Sequence, residues 1–117
     1  MHQFKELLIW KKSRFFCSEI YSATSLFPVD EKFGLTNQLR RSAVSIPSNI
    51  AEGSSRNSNK DFARFLEIAI GSAYEMETQL LIACDLGFLQ IDSMNSLISQ
   101  LQEIIKMVSK FKSTLKI

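Results

Sequence analysis

The sequence predicts an all-α protein, an antiparallel up-and-down bundle of four helices, and three observations carry that expectation. Two long segments repeat apolar residues at alternating three-and-four spacing, the period of a helix face. Only two prolines and four glycines interrupt 117 residues, too little turn chemistry for a β-rich fold. The connections between periodic segments are short, which favours antiparallel neighbours crossing at a shallow angle. A chain of this length makes one domain, residues 1–117, and buries enough apolar surface to fold without disulfides or a metal.

Helix one runs from about Phe4 to Thr24, with Leu7, Trp10, Cys17, Tyr21 and Thr24 on one stripe and Arg14 as the exception to it. Phe27 and Pro28 end it. Pro28 suits the first turn of a second helix, where its missing N–H costs nothing, and Asp30 and Glu31 complement that helix's positive end. Helix two buries Leu39, Ala43, Ile46 and Ile50 and reaches Gly53, a left-handed stop. Pro47 lies within it and crowds the carbonyl of Ala43, which predicts a kink rather than a break. The segment Ser54 to Asn59 reads as a loop, with Ser58 or Asn59 capping the third helix.

Helix three is the clearest element: Phe62, Leu66, Ala69, Ala73, Met76, Leu80 and Ala83 repeat without a miss, and Gly87 closes it. Asp92 caps helix four, whose apolar line is Met94, Leu97, Leu101, Ile104, Val108, Phe111 and Leu115. Helix three also carries a second seam through Ile70, Tyr74, Leu81 and Cys84, broken by Glu77, with Ile68 and Ile82 adding apolar surface. Such a helix is either central in its own bundle or buried against another subunit.

Charge is unevenly spread. Residues 1 to 60 hold nine Lys or Arg against five acids, whereas residues 61 to 117 hold five against seven, so basic surface is to be sought on the first half. The apolar run Leu7 to Trp10 is too short for a signal sequence or a membrane span, and Cys17 and Cys84 read as reduced thiols packing as small apolar groups. The expectation is a cytoplasmic protein with no membrane association.

Reactive constellations are missing. The single histidine, His2, sits at a terminus and reads as a solvated side chain, so neither a Ser-His-Asp nor a Cys-His arrangement can form within the fold. The cysteines lack C-x-x-C spacing, the Glu-x-x-His pairs of di-iron bundles are absent, and no glycine-rich phosphate loop occurs. Glu67, Glu75, Glu77 and Glu103 are expected to pair with arginines or face water. The sequence therefore predicts no enzyme, no cofactor, no metal and no small-molecule substrate.

Five basic residues stand out. Arg40 and Arg41 lie mid-helix, while Arg56, Lys60 and Arg64 recur at four-residue intervals around the start of helix three. Positive side chains gain nothing from a helix N-terminus, so either Asp61 and Glu52 balance them or a phosphate backbone does. Lys106, Lys110, Lys112 and Lys116 read as a solvated face.

The run Tyr21 to Thr24, Phe27-Pro28, Phe33-Gly34-Leu35-Thr36-Asn37-Gln38-Leu39-Arg40-Arg41 and Ser45-Ile46-Pro47-Ser48-Asn49-Ile50-Ala51-Glu52-Gly53 resembles the 23S rRNA intervening-sequence proteins, also called four-helix bundle proteins. Phe65-Leu66-Glu67-Ile68-Ala69, Gly71-Ser72, Glu75 and Glu77-Thr78 fit the same pattern, which fades in helix four. That family takes its name from reading frames within insertions in bacterial 23S rRNA genes, and is similar to the accessory protein of diversity-generating retroelements, a pentameric barrel that binds nucleic acid. The resemblance implies a ring-shaped homopentamer, and the second apolar seam of helix three offers Ile68, Ile70, Tyr74, Leu81 and Ile82 as its subunit contact. The resemblance also implies contact with RNA or another nucleic acid through Arg40, Arg41, Arg56, Lys60 and Arg64. Ser54-Ser55 departs from the aromatic or glycine often found after the Ala-Glu-Gly run, so a base-stacking ring there would be lacking. The alternative is a protein–protein scaffold whose arginines only pair with acids.

Overall fold

A computed structural model describes residues 2–117, and four long helices account for most of them: α1 (Leu8–Thr24), α2 (Leu35–Ser54), α3 (Asn59–Asp85) and α4 (Ile91–Ser113). They form an elongated bundle of 44 × 23 × 20 Å. Each helix packs on its two neighbours in the order α1, α2, α3, α4 and back to α1, with α2–α3 the most extensive seam and α1–α4 the thinnest. No strand occurs among the described residues.

The seven α3 positions expected on one face are all buried, as are Leu39, Ala43, Ile46 and Ile50 of α2 and Leu97, Leu101, Ile104 and Val108 of α4, while Met94, Phe111 and Leu115 pack at the core's edge. Helix one differs. Its core line is Ile9, Ser13, Phe16, Ile20 and Thr24. Leu7, Trp10 and Cys17 are only partly buried, and Tyr21 is 43% exposed. The hydroxyls of Ser13 and Thr24 bond back to the carbonyls of Trp10 and Ile20 in their own helix, so both residues pack in the interior with their polar atoms satisfied.

Element ends also depart from expectation. Phe4–Glu6 is a separate 3₁₀ turn, because Leu7 is extended (ψ 127°) and its carbonyl accepts from Trp10 and Lys11; the break folds Phe4 edge-on against Trp10. Pro28 does not start α2. A 3₁₀ turn at Val29–Glu31 intervenes, and the Glu31 carboxylate then accepts the Leu35 N–H at 3.0 Å, capping α2 with a charge suited to its dipole. Ser58 caps α3 by accepting from the Asp61 N–H at 3.1 Å. Asp92 lies inside the first turn of α4 rather than capping it; Gln90 takes that place.

Gly53 is a helical residue and not a left-handed stop. A Cβ there would lie 2.7 Å from Phe65 Cβ and 2.8 Å from Phe62 Cδ1, so its bare backbone is what lets α2 and α3 close together. Gly87, at φ 79°, does supply the left-handed stop after α3. Along the same α2–α3 seam the single Ser42 hydroxyl proton is shared between Glu75 and Gln79 oxygens, each 3.2 Å away, Gln79 donates to Glu75, and Ser45 pairs with Ser72 at 2.8 Å, fixing the register with satisfied polar groups.

α2 runs unbroken through Pro47. With no N–H at residue 47, the Ala43 carbonyl loses its helical donor, and the Cys17 thiol of α1 donates to it at 3.0 Å. Burial pushes that thiol up from 9.0 to about 11, which keeps the proton it donates. Cys17 is thus a hydrogen-bond donor as well as a small packing group.

Candidate nucleic-acid interface

The cations expected to bind nucleic acid fall into two groups that the fold does not unite. Arg40 and Arg41 sit in the second turn of α2, while Arg56, Lys60 and Arg64 gather past its far end, about 22 Å away at 1.5 Å per residue over the fifteen positions from 41 to 56.

The second group is largely compensated. Arg56 bonds Glu52 at 3.3 Å and Arg64 approaches Asp61 at 4.0 Å. Both guanidiniums lie against the ring of Phe65, at 4.8 Å and 5.3 Å from its centre. Of the three, Lys60 alone has no ion pair. Here the balance falls to Glu52 and Asp61, and these cations help cover the edge of Phe65.

Arg40 has a structural duty. Its Nε donates to Thr24 Oγ1 at 2.9 Å, a terminal nitrogen reaches the Tyr21 carbonyl at 3.4 Å, and the guanidinium stacks 4.5 Å from the Tyr21 ring. It thereby satisfies the C-terminal end of α1. Arg41 is exposed and enters no ion pair. It stands on the crest between a recess on the α1–α2 seam (Tyr21, Asn37, Arg40, Val44, Ser45) and a groove on the α2–α3 seam (Phe33, Gln38, Ser72, Glu75).

What the fold adds is a second recess on the α1 side, lined by Phe4, Lys5, Trp10, Lys11 and Arg14. At 100° per residue Trp10, Arg14 and Tyr21 fall within about 40° of one another, a line that faces α2. Arg14 lies 5.3 Å above the Trp10 ring, and Lys5 6.0 Å from that of Phe4. The two recesses together hold five cations (Lys5, Lys11, Arg14, Arg40, Arg41) and three aromatic rings (Phe4, Trp10, Tyr21), with no carboxylate lining either. None of the five makes a salt bridge among the described residues. Elsewhere the signs mix: the α1–α4 seam holds Glu19 with Asp92, and Lys12 bonded to Glu103 at 2.6 Å. The hydrogen bond and charge of Lys12 hold the Glu103 carboxyl below its usual range. Lys5, Lys11 and Arg14 escape a reading of linear spacing; the one signal was Arg14 interrupting an apolar stripe.

The second seam of α3 is not central in the bundle. Tyr74, Leu81, Ile68 and Ile82 are 57%, 44%, 44% and 43% exposed on the single chain, while Ile70 and Cys84 are partly buried. His2 is exposed, but its ring stands edge-on to Phe62 at 5.2 Å and Phe111 at 5.6 Å rather than free in solvent. No helix among the described residues is long and apolar enough to cross a membrane.

Four long helices packed in sequence around one apolar core define a four-helix bundle protein. The family model described as 23S rRNA-intervening sequence protein matches residues 5–110, and the chain belongs to that family. Among solved structures it is similar to a protein of unknown function from the S23 ribosomal protein family of Bacteroides thetaiotaomicron, at 27% identity and a TM-score of 0.84, over 92% of this chain and 96% of that one. No protein of curated function matches the sequence.

Proposed function

We propose that this protein is a non-catalytic helical bundle that associates with RNA or another nucleic acid through its α1–α2 face, by phosphate contacts rather than sequence reading. One observation carries this: five cations that enter no salt bridge line two recesses beside the exposed ring of Tyr21 and the half-buried rings of Phe4 and Trp10, and no carboxylate lines either recess. Each neutralised phosphate releases counterions, so five contacts give log K a slope of about −3.5 against log salt on a single strand. Fluorescence anisotropy of a labelled RNA hairpin between 50 and 300 mM salt tests it. The combined variant Lys11→Glu, Arg14→Glu, Arg41→Glu spares the structural Arg40 and should abolish binding at 150 mM salt. A flat salt dependence, or undiminished binding by that variant, would overturn the reading.

A ring of copies belongs to the same proposal, with the exposed Ile68, Tyr74, Leu81 and Ile82, and the partly buried Ile70, at the contact. The second reading, a protein–protein scaffold with no nucleic-acid role, draws on the α1–α2 connection, where Leu26, Val29 and Phe33 are 86%, 87% and 86% exposed. Light scattering that reports an oligomer, combined with no retention on RNA at low salt, would favour the scaffold.

A further inference from the structure

Resting on the nucleic-acid reading above, we infer that the recess lined by Phe4 and Trp10 takes an unpaired base against its aromatic walls, so that the α1–α2 face selects single-stranded or looped nucleotides over continuous duplex. A face that bound phosphates alone would need only cations. This one places a cation beside each ring: Lys5 by Phe4, Arg14 by Trp10 and Arg40 by Tyr21, at 6.0, 5.3 and 4.5 Å. The edge-to-face pair of Phe4 and Trp10, 5.1 Å between centres and 73° apart, forms two walls of an open recess of about 680 Å³, within the size range of small-ligand sites. Trp10 and Tyr21 stand about 16 Å apart along α1, eleven residues at 1.5 Å each, so the face offers two stacking points with Lys11 and Arg14 on the α1 stretch between them.

A π-face stacks on any base, which suits binding without sequence preference, but only where the base is out of its own helix. In a duplex the bases are stacked and paired inside, and the rings of this face have nothing to engage. The Phe4 side of the recess lies on a 3₁₀ turn outside the helices, separated from α1 by the extended Leu7.

Trp10 is the only tryptophan in the chain, so its intrinsic fluorescence reports the recess directly. The test titrates the full chain with a twelve-nucleotide oligouridine, a fully paired RNA duplex of equal phosphate content and inorganic polyphosphate. Oligouridine should quench Trp10 emission and bind roughly ten-fold more tightly than the duplex, and the advantage should vanish in Phe4→Leu, which retains the fluorophore. Trp10→Leu, checked for an unchanged thermal transition, should bind oligouridine and duplex equally by anisotropy. Duplex bound as tightly as oligouridine, with no quenching by either, would overturn the base-stacking inference while leaving phosphate binding in place. Binding of none of the three would remove both. Equal quenching by polyphosphate would trace the signal to displacement of Arg14 and likewise sink base stacking.

Discussion

Replacing Cys17 with alanine tests whether a thiol on α1 compensates a proline on α2. Pro47 leaves the Ala43 carbonyl without its helical N–H, and Ala43 is 1% exposed, so water does not substitute. Removing the thiol orphans that buried acceptor, a loss of about 1–2 kcal/mol given that S–H is a weak donor. Deleting a half-buried sulfur adds about 1 kcal/mol of lost apolar contact. Pro47→Ala restores an N–H at residue 47, so in that background the acceptor is already satisfied and only the packing part of the Cys17→Ala loss remains. The double-mutant cycle should therefore show coupling of about 1–2 kcal/mol, read from urea midpoints at constant m and visible as a shift of about 4–8 °C in Tm. Cys17→Ser, whose hydroxyl can still donate, should cost less than Cys17→Ala. Additivity of Cys17→Ala and Pro47→Ala within about 0.3 kcal/mol would refute the compensation.

The same packing sets three further outcomes. Because the folded Cys17 thiol titrates near 11 against 9.0 in the ordinary case, the unfolded chain ionises first as pH rises. The stabilisation is therefore complete below pH 9 and lost between pH 9 and 11, and the stability difference between the native chain and Cys17→Ser should narrow over that window and nowhere below it. Gly53→Ala should destabilise by about 1–3 kcal/mol in chemical denaturation, because its Cβ would fall within 2.8 Å of both Phe65 and Phe62 on the opposing helix. Arg40→Ala should lower stability by about 1–2 kcal/mol through loss of its bonds to Thr24 and the Tyr21 carbonyl, whereas Arg41→Ala should leave the thermal transition in place.

The sequence revealed the bundle more fully than its surface. On α3 the seven predicted interior positions are apolar and Ala83 or Leu66 can be read at once, because that helix turns one uninterrupted line to the core, with Gln79 the buried polar residue beside it. On α1 the interior line includes Ser13 and Thr24, whose hydroxyls are satisfied by their own helix and so pack like apolar groups while reading as polar. The line with the larger rings, Trp10 and Tyr21, looked like the core and is the flank. Gly53 misled for a related reason: a glycine that ends a helix and one that admits a neighbour's ring are the same letter, and only the approach of Phe65 distinguishes them. Arg56, Lys60 and Arg64 are conspicuous because they are regularly spaced. The uncompensated face is assembled from two helices and a turn, so no single stretch of chain displays it.

Folding energetics do not determine the sign of that face. Exposed ion pairs contribute about 0–1 kcal/mol each, so exchanging Asn37, one helical turn before Arg41, for an acid would alter stability little in either direction. Elsewhere four of nine cations pair, Lys12 with Glu103, Lys112 with Glu67, Arg56 with Glu52 and Arg64 with Asp61, while Lys32, Lys60, Lys106, Lys110 and Lys116 enter no salt bridge among the described residues. On the α1–α2 face none of the five cations pairs, and two of them, Arg14 and Arg40, lie 5.3 and 4.5 Å from the centres of the Trp10 and Tyr21 rings. Guanidiniums ordered in this way lose little further freedom when they meet an anion. Arginines set beside rings at two recesses that no carboxylate lines are an arrangement suited to a polyanion with planar groups.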